Sequence, residues 1–149
     1  MAYLIDTNVL VRLANQSDAH YPVADGAIAE LFLQGETLHI TPQNLIEFRS
    51  VATRPKGVNG LGMALPAAEA KAAEFEAAFS LLDDVPAIYV VWKSLVGATG
   101  VIGKQVHDAR LVAVCHVHKV THLLTFNTAH FASLASLPPG LVVIDPANV

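Results

Sequence analysis

Charge is scarce in this sequence. Of its 149 residues only 15% are Asp, Glu, Lys or Arg, while 53% are hydrophobic, which is less charge and more apolar surface than an ordinary soluble domain carries. So apolar a composition predicts that part of the surface meets a partner. Basic residues are the scarcer sign, 9 Lys and Arg against 13 Asp and Glu for a net charge of −4. That argues against a generic nucleic-acid binder, whose affinity for phosphate comes from Lys and Arg. Cysteine is nearly absent. Cys115 alone cannot close an internal disulfide, and among Val112, Ala113, Val114 and Val117 it reads as a buried, inert thiol. No apolar run approaches the roughly 18 to 20 residues that span a bilayer, and Asp6 and Arg12 interrupt the stretch where a secretory signal would be unbroken. A cytoplasmic protein with no membrane partner is expected. Repeats, low-complexity tracts and linkers are missing too, so residues 1–149 are read as a single domain.

What is present begins with Tyr3-Leu4-Ile5-Asp6-Thr7-Asn8, a short apolar strand that ends abruptly in polar residues. Beyond the carboxyl ends of strands in an open α/β sheet lies the crevice where ligands bind, so an acid at Asp6 points to chemistry. Val9, Leu10, Leu13 and Ala14 form a helical stripe after it, with Thr7 or Asn8 as the expected cap and capping as an alternative role for Asp6. Further helices are predicted over 22–34, 42–53, 67–82, 86–96, 106–118 and 127–135, and strands over 3–5, 38–40, 122–125 and 141–144. Residues 54–66 hold three glycines and two prolines in thirteen positions and read as a loop. Strands alternating with helices give the α/β class: a three-layer α/β/α arrangement around a central parallel sheet of four to five strands. Right-handed crossovers bring Asp6 and Thr125 to one edge of that sheet.

Four polar residues stand beside apolar segments where no solvated face is required: Asp6, Glu47, Asp108 and Asn127. Asp108 opens a helix that is apolar nearly all round, where a carboxylate is costly unless it is hydrogen-bonded, paired or bound to a cation. Favourable interaction with the helix dipole is its other reading. Three acids converging at a sheet edge offer the hard oxygen ligands that magnesium or manganese takes. The seven histidines do not form a zinc motif, because the closest useful pair, His118 and His122, straddles a helix end.

Asp6-Thr7-Asn8-Val9-Leu10, the isolated Glu47, His107-Asp108-Ala109-Arg110-Leu111 and Leu124-Thr125-Phe126-Asn127-Thr128-Ala129-His130-Phe131 together resemble the four signature segments of PIN domains. The order and spacing are similar to those of the VapC toxins of bacterial toxin–antitoxin pairs. The resemblance implies a magnesium- or manganese-dependent ribonuclease with an RNA substrate, a homodimer, and a cognate antitoxin partner. It makes Asp6, Glu47, Asp108 and Asn127 the catalytic positions and Asp6, Glu47 and Asp108 the metal ligands. Asn127 departs from the pattern, which often has aspartate there; an amide offers a carbonyl oxygen but no charge. Three acids suffice for one ion, whereas a second about 4 Å away would draw on the substrate phosphate. Thr7, Asn8 and Thr125 are read as residues that orient carboxylates and water, or as caps. Arg12, Arg49, Arg54, Lys56, Lys104 and Arg110 are candidates for a basic rim that binds RNA despite the net negative charge, though Arg12 and Arg49 could pair with acids instead. The alternative is a PIN-like module that binds RNA or a partner without turnover. A phosphoaspartate enzyme, which would want an acid at position 8, is disfavoured by Asn8.

Overall fold

The computed structural model describes all residues from Met1 to Val149. Five parallel strands form one sheet in the order β3-β2-β1-β4-β5. They are β1 (Ala2–Ile5), β2 (Thr37–Ile40), β3 (Ser80–Leu81), β4 (His122–Leu124) and β5 (Val142–Ile144). Seven helices connect and cover them: α1 (Thr7–Leu13), α2 (Tyr21–Leu33), α3 (Pro42–Thr53), α4 (Leu65–Ala78), α5 (Pro86–Thr99), α6 (Gln105–His118) and α7 (Thr128–Ala135). The three-layer α/β/α reading and the sheet of five parallel strands are therefore observed. None of the helices is long and apolar enough to cross a membrane.

Alternation along β1 divides the core. Successive side chains of a strand point to opposite faces, so Tyr3 and Ile5 pack with Val9, Leu31, Phe48 and Phe75 on the α1–α4 side. Leu4, between them, packs with Ile88, Leu111, Val114 and Phe131 on the α5–α7 side. β4 repeats the division with Leu124 and Leu123. With both faces covered, β1 from Tyr3 to Ile5 and β4 at Leu123 and Leu124 give apolar side chains to the layers, and Asp6 and Thr125 follow directly where the strands end. Cys115 is fully buried, and burial pushes its thiol well above the ordinary range, as expected of an inert packing residue.

Two element ends differ from the sequence expectation by three residues or more, and α4 starts at Leu65, two residues early. The helix expected over 67–82 stops at Ala78, and Ser80–Leu81 instead pairs with His39 and Ile40 as the edge strand β3. Two exposed residues carry no alternation to read, and the Leu82 N–H is drawn to the Ile40 carbonyl at 2.8 Å. The helix expected over 86–96 runs on through Gly97 to Thr99 and ends where Gly100 adopts a left-handed φ of 69°, a conformation glycine takes without the Cβ clash. The expected 54–66 loop is cut short by α4, which takes Leu65 and Pro66 as its first turn, and what remains contains one short 3-10 turn at Lys56–Val58. It closes so tightly that a Cβ on Gly60 would lie 1.9 Å from the Arg54 carbonyl oxygen.

Candidate metal and RNA site

The carboxyl ends of β1 and β4 are adjacent in the sheet, with Ile5 in register with Leu124. The chain therefore delivers Asp6 and Thr125 side by side. Thr125 Oγ1 donates to Asp6 Oδ2 at 2.7 Å, and the Thr7 N–H donates to Asp6 Oδ1 at 2.7 Å. That second bond makes Asp6 the cap of α1; the expected caps, Thr7 and Asn8, are displaced because the strand already ends at Ile5. Asn8 instead donates from Nδ2 to Thr125 Oγ1 at 3.0 Å and accepts the Phe126 N–H on Oδ1 at 3.2 Å. The Thr125 hydroxyl also accepts the Asn127 N–H at 3.0 Å. One hydroxyl thus ties both strand ends to the acid.

Glu47 and Asp108 approach from helices. α3 starts at Pro42 behind a capping box in which Thr41 Oγ1 accepts the Asn44 N–H and Asn44 Oδ1 accepts the Thr41 N–H. The buried Asn44 also donates from Nδ2 to Thr7 Oγ1 at 3.1 Å, which fixes α3 to the start of α1. Glu47 lies one turn further along. Asp108 stands in the first turn of α6, where the positive end of the helix dipole favours its ionised form. The Thr41/Asn44 box and Gln43 were missed from sequence; Thr-x-x-Asn at a helix start was the available signal for the first.

Electrostatics shows that the acids sense one another. Burial pushes Asp6 up to about 6, the hydrogen bonds from Thr125 and Thr7 oppose it, and the nearby Asp108 and Glu47 charges raise it further. Asp108 is also raised, first by burial and then by Glu47, against lowering by His130 and His107. Glu47, Asp108, Asn127, His107 and His130 line one groove of about 700 Å³, together with Arg54 and Lys104. Asp6, 6% exposed, sits deeper and is not part of that lining. Asn127 holds the cap position of α7 but makes no side-chain cap bond, leaving its amide to the groove.

No three acid, His or Cys side chains are already gathered closely enough to enclose a metal ion. The donor set nevertheless fits one: Asp6 and Asp108, raised first by burial and further by neighbouring carboxylates, are hard anionic oxygen donors of the kind a magnesium or manganese ion neutralises.

The basic candidates divide. Arg54 and Lys104 line the groove. Arg110 lines a neighbouring depression with Gln43, Ile46, Glu47, Asp84 and His107. Arg12 pairs with Asp18 at 2.7 Å, and Arg49 makes a two-pronged contact with Glu69 at 2.5 and 3.0 Å, so both meet acids. Lys56 lines a separate hollow with Asn15, Ser17 and Met63.

Comparison with known proteins places this geometry. The VapBC2 complex of Rickettsia felis, solved bound to a DNA fragment from its promoter, matches with a TM-score of 0.72 at 17% identity, over 97% of this chain and 98% of that one. VapBC-1 of nontypeable Haemophilus influenzae matches with 0.70 at 17% identity over 98% of both. VapC20 of Mycobacterium tuberculosis, described as a sarcin-ricin loop cleaving toxin, matches with 0.62 at 18% identity over 88% of this chain and 94% of that one. These likenesses are of fold. No curated protein sequence matches the chain. The sequence pattern of the PIN domain matches residues 3–137, a span that takes in every element carrying Asp6, Glu47, Asp108 and Asn127, and by it the chain belongs to the PIN domain family.

Proposed function

We propose that the protein is a magnesium- or manganese-dependent endoribonuclease and the toxin of a toxin–antitoxin pair. The observation that supports this most is the group of acids itself: Asp6, raised by burial and further by the Asp108 and Glu47 charges, and Asp108, raised by burial and further by Glu47, stand at a groove that also carries Arg54 and Lys104. Acids held close to one another and cations at the groove wall are the arrangement needed for an anionic backbone cut with the help of a divalent ion.

Asp6, Glu47 and Asp108 would hold the cation, with the Asn127 carbonyl oxygen as a neutral addition. A bound ion supplies a water of lowered pKa and neutralises charge on the phosphodiester. The protein's share is positional. Thr125 and the Thr7 N–H keep Asp6 ionised and oriented, α6 presents Asp108 on its positive end, and Arg54 and Lys104 bind phosphates on either side of the cut. No side chain has to act as nucleophile.

Partners follow the same reading. The structures with which the chain shares its fold include a toxin–antitoxin complex from Klebsiella pneumoniae and DNA-bound VapBC from Salmonella typhimurium. Exposed Phe32, Leu33, Ile46, Val58, Leu65, Tyr89, Val90 and Ile102 supply apolar surface for a homodimer and an antitoxin segment. The test is hydrolysis of end-labelled RNA with added manganese or magnesium and an EDTA control. Internal cuts that require the metal support the proposal; RNA retention without cleavage in either metal would leave a non-catalytic binding module instead.

A further inference from the structure

Gln43 occupies the space between an acid and a base. Its Nε2 donates to Glu47 Oε1 at 2.7 Å and to the His107 carbonyl at 2.9 Å. Its Oε1 accepts from Arg110 Nη1 at 3.1 Å, and Arg110 Nη2 reaches on to Asp84 Oδ1 at 3.1 Å. The amide can stand only one way round, because guanidinium only donates and an ionised carboxylate only accepts. Both amide hydrogens are then used, and a single Glu47 oxygen is engaged. Arg110 and Glu47 line the same depression. With the amide gone, nothing polar would separate them, and a direct pair would be the strong, charge-assisted contact that guanidinium and carboxylate form.

We propose that Gln43 is a positioning residue: a neutral spacer that keeps Arg110 off Glu47, so that Glu47 has an oxygen free for a cation while Arg110 remains at the rim. This rests on the metal-dependent reading above. A charged residue in place of Gln43 could not do both tasks, since a carboxylate would repel Glu47 and an ammonium would neutralise it. The bond from Gln43 to Glu47 is also an i,i+4 contact within α3, so the first turn of the helix sets the acid's orientation.

The test is a four-protein cycle of wild type, Q43A, R110A and Q43A/R110A, read by manganese titration calorimetry and by thermal melting to confirm folding. Q43A should weaken manganese binding by about 10- to 100-fold, the range for residues that orient ligands, and removing Arg110 as well should restore most of it. A crystal structure of Q43A should show the Arg110 guanidinium on Glu47. If the double variant binds as weakly as Q43A, or if Arg110 stays on Asp84 alone in Q43A, the spacer role is overturned. The two proposals fail differently: wild type that binds no manganese overturns the metal-dependent reading, whereas wild type and Q43A binding alike overturn only the role of Gln43.

Discussion

Asp6 and Glu47 belong to one group of acids, yet the chain holds them in opposite ways. Asp6 is 6% exposed, follows directly on the central strand, and accepts a hydrogen bond on each oxygen from Thr125 and Thr7. Glu47 is half-buried on a helix and receives one bond, from Gln43 on the same helix. The deep acid is held on both oxygens and pays in desolvation, which lifts it to about 6; the shallow one is held at a single oxygen. On the proposed reading Asp6 is the floor of the site and Glu47 belongs to its rim.

The largest effect should come from removing charge at the floor. Asp6→Asn and, separately, Asp108→Asn preserve shape, and each is expected to lower RNA cleavage by more than the ~100-fold typical of residues behind the ligands. Cleavage at wild-type rates in both variants would end the metal-site reading.

A pH experiment sharpens the contrast next. Asp6 has a folded pKa of about 6, above its ordinary 3.8. Protonated Asp6 therefore contributes stability that is full below about pH 4 and lost as pH rises through 6, on the order of 3 kcal/mol in the metal-free protein. The Tm advantage of Asp6→Asn over wild type should grow by about 6 to 12 °C between pH 4 and 7.5, and manganese should narrow that gap at pH 7.5. A gap that does not change with pH would show that Asp6 is not penalised by burial.

Thr125→Val tests whether the floor is held by a single hydroxyl. It strips the partner from Asp6 Oδ2, Asn8 Nδ2 and the Asn127 N–H, and a loss of about 3 kcal/mol in chemical denaturation is expected from buried groups left unpaired. Thr125→Ser should retain most of the stability; equal losses in both would assign the role to the methyl group's packing.

At the rim, effects should be small. Arg54→Ala and Lys104→Ala should each raise KM a few-fold and reduce the salt dependence of RNA binding by roughly one phosphate contact, while Lys56→Ala, in a separate hollow, should not. Identical salt slopes for all three would break the division between groove and periphery.

The strand after Met1, the apolar α6 and the acid at position 6 were legible from local pattern, because burial of a parallel sheet demands unbroken apolar runs and leaves polar residues conspicuous at their ends; Asp108 stood out as a carboxylate opening an apolar helix, and Glu47 only through the resemblance to PIN domains. The edge strand β3 was not: Ser80 and Leu81 carry no periodicity, and only the free Ile40 backbone next to them makes a strand. The same limit applied to the basic residues. Six of them stood near the motifs in sequence, but Asp18 and Glu69 engage Arg12 and Arg49 while Arg54 and Lys104 line the groove. Residue type and spacing determined which polar side chains arrive beyond the carboxyl ends of β1 and β4. Which charges neutralise one another, and that Gln43 stands between two of them, was decided by tertiary packing, since partners 20 or 67 residues away are selected by proximity in space.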